Sequence, residues 1–166
     1  MHEWTDFLVA SSGASAGLLG LLFVALSINL KKILSVPLLP SRAFAAMILL
    51  ATMLVVSLCA LVPGLNPTIL GWVTFLPGAM DWVGGMKGFW ASFKWFRSNR
   101  KKLTIPFYTF VLRFSLVQLG TLPYLAAGIL FWTNNPSAPY WLVPAFLFSI
   151  LTALYDTWVL LIEINR

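Results

Sequence analysis

FLVASSGASAGLLGLLFVALSINL, from Phe7 to Leu30, is an uncharged and mostly apolar run that ends on Lys31 and Lys32. A helix needs about 20 such residues to cross the ~30 Å hydrocarbon core of a bilayer, so this run is long enough to span one. It has no basic leader and is longer than the apolar part of a cleaved signal. It is expected to remain as the first helix of an integral membrane protein.

Outward from it, four more runs of the same kind follow: Phe44 to Val62, Ile69 to Phe93, Phe107 to Trp132 and Tyr140 to Ile164. The connectors are short. Lys31 to Ala43 holds two prolines, Pro63 to Thr68 reads PGLNPT, Lys94 to Pro106 is basic, and Thr133 to Pro139 reads TNNPSAP. Proline and asparagine in such places stop helices. The expected fold is all-α: one domain over 1–166, a bundle of five transmembrane helices.

Orientation follows from the basic residues, because short cytoplasmic loops carry the positive excess. Lys31, Lys32 and Arg42 flank the first connector; Lys94, Arg97, Arg100, Lys101 and Lys102 fill the third; the second and fourth carry no charge. With Arg166 at the C-terminus the alternation holds at every crossing. The N-terminus, with Glu3 and Asp6, is then outside and the C-terminus lies in the cytoplasm of a bacterial-type inner membrane. Trp4, Trp132, Tyr140 and Trp141 fall at the outer interface and Trp90, Trp95 and Phe96 at the inner one, as aromatic belts do.

Composition agrees and excludes much chemistry. Of 166 residues 60% are hydrophobic and only 10% charged, with a mean hydropathy of +0.88, against roughly a quarter charged in soluble domains. A net charge of +6 and the KWFRSNRKK stretch from Lys94 to Lys102 have the basic and aromatic character of nucleic-acid binders. Beside a span, however, such a cluster sets topology and attracts anionic lipids, at about 1 kcal/mol per basic residue near the surface, and no nucleic-acid partner is expected. The single cysteine, Cys59, leaves no intrachain disulfide and no cysteine-based metal spacing. The single histidine, His2, leaves no bis-histidine haem, HExxH zinc site or Ser-His pair within the membrane. His2, Glu3 and Asp6 are three scattered groups in a fraying terminus, and no Walker loop or dinucleotide fingerprint is present. No enzymatic activity, metal or cofactor is expected.

Two helices carry small-residue faces. In the first, Gly13, Gly17, Gly20 and Val24 recur at helical spacing; in the third, Pro77, Gly78, Asp81, Gly84, Gly85, Gly88 and Ser92 share one face. Small residues four apart let membrane helices approach closely, so Gly13, Gly17, Gly20, Gly84, Gly85 and Gly88 are expected to pack, within the chain or between subunits. Pro77 and Gly78 are expected to kink the third helix just before Asp81. By the helical rise, Asp81 comes near the bilayer midplane and Lys87 roughly 9 Å closer to the cytoplasm.

The fifth helix carries a polar line of Ser149, Thr152, Ala153, Asp156 and Glu163. Asp156 and Arg113 of the fourth helix come out at about the same depth, some 10 to 12 Å from the cytoplasmic end, which predicts an Arg113–Asp156 pair. A charge at a helix centre costs around 2.5 to 3.5 kcal/mol. Asp81, Lys87, Arg113 and Asp156 sum to zero, which favours one buried ion-pair cluster with Asn29, Gln118, Ser27 and Tyr155 as supporting partners. Such a cluster either fixes helix order and register or marks an ion, proton or solute pathway. Tyr155-Asp156 and the GAMD of Gly78 to Asp81 approach the YD and GxGD elements of intramembrane aspartyl proteases. The second glycine is missing, the order is reversed, and a shared-proton dyad needs adjacent carboxyls, whereas these differ in depth by about two turns.

YWLVPAFLFSILTALYDTWVLLIEINR at Tyr140 to Arg166, FVALSINLKKIL at Phe23 to Leu34 with PSRA at Pro40 to Ala43, LVPG at Leu61 to Gly64, and RFSLVQLGTLPYLAAG at Arg113 to Gly128 together resemble a small, poorly characterised family of bacterial inner-membrane proteins. Some of its members are labelled modulators of a membrane-bound ATP-dependent protease. The resemblance covers most of the chain but not the Asp81 to Gly88 seam, and its polar positions here are Asn29, Arg42, Arg113, Gln118, Asp156, Glu163 and Arg166. It implies a multi-pass inner-membrane protein and brings no catalytic residues. The expected function is that of a non-enzymatic accessory or regulatory subunit, acting through helix packing with a membrane protein partner or with itself, and touching anionic lipids at its basic loop. The alternative is a homo-oligomeric ion channel or small transporter that uses the four intramembrane charges.

Overall fold

The computed structural model describes residues 2–35, 39–98 and 107–164, and every regular element among them is helical. Five long helices, α1 (Thr5–Ser35), α2 (Leu39–Ala60), α3 (Pro67–Ser98), α4 (Phe107–Trp132) and α5 (Leu142–Ile164), are accompanied by 3-10 turns at His2–Trp4 and Ala138–Trp141. Each long helix covers all or most of one of the expected runs, α2 stopping at Ala60 and α5 starting at Leu142, and the ends at the basic side move furthest. α1 continues through Lys31 to Ser35, α2 starts at Leu39 and α3 goes on to Ser98, so helix occupies much of what was expected as connector. Lysine and arginine are good helix formers, so a basic cluster does not by itself end a helix.

Proline and asparagine do end helices here. Asn66 accepts from the Thr68 amide with its Oδ1 at 2.9 Å, and Pro67 follows as the first helical residue of α3, where its missing N–H costs nothing. At the far end of α4, Asn134 takes the left-handed conformation, with φ of 50°. The Asn135 amide returns to the Leu130 carbonyl at 3.0 Å and the Asn134 amide to Phe131 at 3.2 Å, the paired closure by which helix C-termini satisfy their last carbonyls.

Four helical segments are long and apolar enough to cross a membrane: Thr5–Lys31, Leu39–Ala60, Val111–Trp132 and Ala138–Trp158. α3 has the length, at 32 residues, but glycines, Asp81 and Lys87 dilute its apolar content. Large apolar side chains face outward over the surface, among them Ile28 at 78% exposed and Met80 at 75%, where a soluble protein would carry charge. This is a multi-pass membrane protein. Trp4 and Tyr140 meet at 4.9 Å and Trp132 stacks obliquely on Trp72 at 4.6 Å, so the aromatic residues expected at the outer interface gather at one end of the bundle. Lys31, Arg42, Lys94 and Arg97 all lie towards the other end.

α3 and α4 approach each other closely, and glycines permit it. A Cβ on Gly78 would stand 2.6 Å from the Tyr124 Cβ; one on Gly128 would stand 2.6 Å from the Phe75 Cβ and 3.0 Å from its Cα; one on Gly71 would strike the Trp132 ring. Gly85 meets Val117 in the same way. Gly71, Gly78 and Gly85 are seven apart, as are Val117 and Tyr124, the period that keeps one seam of two long helices in register. The expected packing positions were mostly others. Nothing lies within 4 Å of a Cβ built on Gly13, Gly17, Gly20, Gly84 or Gly88; of the six, only Gly85 is used inside the molecule. The reason is helical phase. Leu8, Ser11, Ser15, Leu22 and Ile33 are the buried positions of α1 among those described, and at about 100° per residue the three glycines fall on the opposite side.

A side chain that cannot fit between α3 and α4 must push them apart. Gly128→Leu is expected to lower stability in an SDS unfolding titration by about 1 to 3 kcal/mol, while Gly17→Leu changes it by no more than about 0.5 kcal/mol.

Candidate functional site

α4 and α5 run antiparallel and are joined by a ladder of polar contacts. Arg113 donates through Nε to Asp156 Oδ1 at 2.8 Å and through Nη2 to Oδ2 at 3.1 Å, a two-point fork that fixes orientation as well as distance. Asp156 is fully buried and Arg113 only 16% exposed. One turn along, Thr152 Oγ1 lies 2.6 Å from the Phe148 carbonyl of its own helix and 3.2 Å from the Leu116 carbonyl across the interface. Further along, the Tyr124 hydroxyl and Ser149 Oγ share a hydrogen bond at 3.3 Å. Much of the polar line expected on α5 thus faces α4. Tyr124, wholly buried, also presses on Gly78, so one side chain ties three helices together.

The four charges do not form a single cluster. Asp81, 9% exposed, accepts from Thr52 Oγ1 of α2 at 2.8 Å and has no cation within ion-pair distance among the described residues. Lys87 is exposed and likewise has no carboxylate there. The physical reason is register: contacts between Gly85 and Val117 and between Gly78 and Tyr124 put Asp81 level with Thr121, some 12 Å along α4 from Arg113 by the helical rise. Asp156 meanwhile takes the Arg113 fork from the other side.

The supporting partners also disperse. Asn29 donates to Ala25 O at 3.0 Å and Ser27 to Phe23 O at 2.9 Å, each within α1. Gln118 Oε1 is buried with no hydrogen-bond partner among the described residues; Tyr155 is half-buried beside Asp156 in sequence. The side chain of Glu163 lies outside the described residues. Thr52, Tyr124 and Ser149 carry the network instead. Thr52 had a signal in the sequence, a lone threonine near the middle of the apolar α2, whereas Tyr124 gave none, because its role depends on which face of α4 meets Gly78.

Asp81, Lys87 and Arg113 do share one feature. They line a cleft of about 530 Å³ between α2, α3 and α4, within the size range of sites that hold a small ligand. Its walls are apolar, with Phe44 and Ile48 from α2, Met80 and Phe89 from α3, and Phe114 from α4. Gly84 and Gly88 form part of its floor and leave it open because no Cβ fills it. It lies in the half of the bundle towards the basic end. Asp81 marks the deep limit; Lys87 and Arg113 stand nearer that end. No metal-holding group of three or more His, Cys, Asp or Glu occurs among the described residues.

No protein-family model, curated protein or solved structure matches the chain.

Removing one member of a buried ion pair leaves the other unpaired, which costs about 3 to 5 kcal/mol. Arg113→Met alone and Asp156→Leu alone are each expected to destabilise the bundle by about that amount, and the double variant by clearly less than the sum. A double-mutant cycle in SDS titration reads the coupling; additive losses would show that the fork contributes nothing.

Proposed function

We propose that this chain crosses a bacterial-type inner membrane five times, N-terminus outside and C-terminus in the cytoplasm, and serves there as a non-enzymatic accessory or regulatory subunit that docks through helix packing. The observation that carries this is the outer face of α1. Gly13, Gly17 and Gly20 are exposed on it with nothing within 4 Å of where a Cβ would stand, on the side opposite the packed residues. A lipid-facing position gains from a large apolar side chain, whereas glycine gains only when another helix comes close. The partner is a membrane protein or a second copy of this chain. The basic end, with Lys31, Arg42, Lys94 and Arg97, rests against anionic headgroups.

A second reading, a channel or small transporter, draws on the cleft. A carboxylate without a cation partner among the described residues sits at its deep end, and intramembrane acids of that kind serve ion and proton relays. Arg113 and Asp156 are closed on each other, which leaves Asp81 and Lys87 as the groups such a pathway uses. Flux through proteoliposomes that is abolished by Asp81→Asn would establish this second reading; flux that survives the substitution would remove it.

Gentle extraction into lipid nanodiscs followed by native mass measurement tests the first. The wild-type chain is expected to carry a stoichiometric partner or a second copy, and Gly17→Leu to release it without loss of fold. A wild-type monomer with nothing bound would contradict the proposal.

A further inference from the structure

We propose that the cleft between α2, α3 and α4 is a binding site for one anionic phospholipid, with an acyl chain along the glycine floor and the headgroup phosphate held by Lys87 and Arg113. The site rests on the five-span topology.

Depth is the first argument. Along α3 the lining runs from Met80 to Ala91, which at about 1.5 Å per residue is roughly 16 Å, half of the ~30 Å hydrocarbon core. The deep limit at Asp81 and Thr121 is then near the midplane and the mouth near the basic interface, so the cleft matches the reach of one chain from one leaflet. Volume and apolar walls suit the same occupant.

Charge is the second. The fork to Asp156 uses Nε and Nη2 of Arg113 and leaves the two Nη1 donors without an acceptor among the described residues, on a side chain that lines the cleft. A guanidinium offers five donors in a plane; the fork takes two of them, and the rest, on a largely buried group, suit a phosphate oxygen. Lys87 lies two residues past Gly85 and Arg113 four residues before Val117; since Gly85 and Val117 touch, the two cations differ in height by only about 3 Å. The Lys87 stem is long enough to snorkel towards the headgroup level. With the Asp156 charge already neutralised by Arg113, Lys87 is the net positive charge at this level, so the mouth selects an anion. Asp81 does not oppose it: the carboxylate sits some 9 Å deeper and is mostly covered, with Thr52 bonded to it.

The test reconstitutes the full chain in nanodiscs of mixed phosphatidylglycerol and phosphatidylcholine, exchanges it into detergent and weighs the lipid retained by native mass spectrometry. Wild type is expected to keep about one phosphatidylglycerol per chain in preference to phosphatidylcholine. Lys87→Gln should weaken that preference about fivefold, the equivalent of about 1 kcal/mol for one basic residue, and Lys87→Arg should restore it. The double variant Gly84→Leu with Gly88→Leu fills the floor, where a Cβ meets no atom within 4 Å, and should lose both lipids. Equal retention of the two lipids, or retention unaffected by the double leucine variant, would overturn the site. A nitroxide at Gly84→Cys in a Cys59→Ser background separates this from a failure of topology. A label accessible to oxygen but not to an aqueous nickel chelate leaves the topology standing and makes any negative lipid result count against the site alone, whereas a water-exposed label overturns the site, and impermeant maleimide labelling of Thr68→Cys and Lys94→Cys from opposite sides then tells whether the topology fails with it.

Discussion

The near contact of the α3 and α4 backbones is the constraint on which the rest of the proposed arrangement depends. α3 carries Asp81, Lys87 and a proline at position 77, and is the least apolar of the five long helices. Alone in hydrocarbon it would be a costly helix, since each charge near its centre opposes insertion by about 2.5 to 3.5 kcal/mol. Against α4 the cost is offset. Gly71 and Gly128 let the two backbones come close, Phe75, Tyr124 and Trp132 pack over the glycines, and Asp81 turns to Thr52 on the other flank. Membrane helices have no hydrophobic drive towards each other, so dispersion at such close range and a few interhelical hydrogen bonds must hold them.

The same register determines what the charges can do. Because the seam fixes Gly85 opposite Val117, Arg113 falls below Asp81 and within reach of α5, where Asp156 meets it edge-on. Asp81 is left to a hydroxyl partner, and Lys87 stays open at the mouth of the cleft. Packing and charge are therefore one problem here: only a slip of α3 by about two turns would bring Asp81 level with Arg113, and the glycine seam opposes it. Buried ion pairs are often no more stabilising than apolar replacements but are well suited to fixing register. The Arg113–Asp156 fork, together with Thr152 and Tyr124, has that role between α4 and α5.

Much of this was legible in the chain itself. Five long helices follow from runs of about 20 apolar residues interrupted by proline and asparagine, and the Arg113–Asp156 pair follows from two depths counted at the helical rise. Two things were not. Which glycines pack depends on the rotation of each helix about its axis, and a stripe such as Gly13, Gly17 and Gly20 looks the same whether it faces inward or outward; the packed Gly71 and Gly128 stand in no four-residue pattern. The grouping of charges likewise depends on the register between helices, which a summed charge of zero does not contain. Lysine and arginine placed the expected ends of α1 and α3 too early, because they are good helix formers and the helix continues through them.

The central claim is that α3, the helix with the weakest apolar signal, crosses the bilayer under the protection of α4. Single cysteines at Thr68→Cys and at Lys94→Cys in a Cys59→Ser background, labelled in right-side-out membranes with an impermeant maleimide, test it most directly. Labelling of position 68 from outside, with position 94 reactive only after the membrane is opened, is the predicted result. Equal labelling of both positions from one side would contradict it, because α3 would then return to the side on which it began.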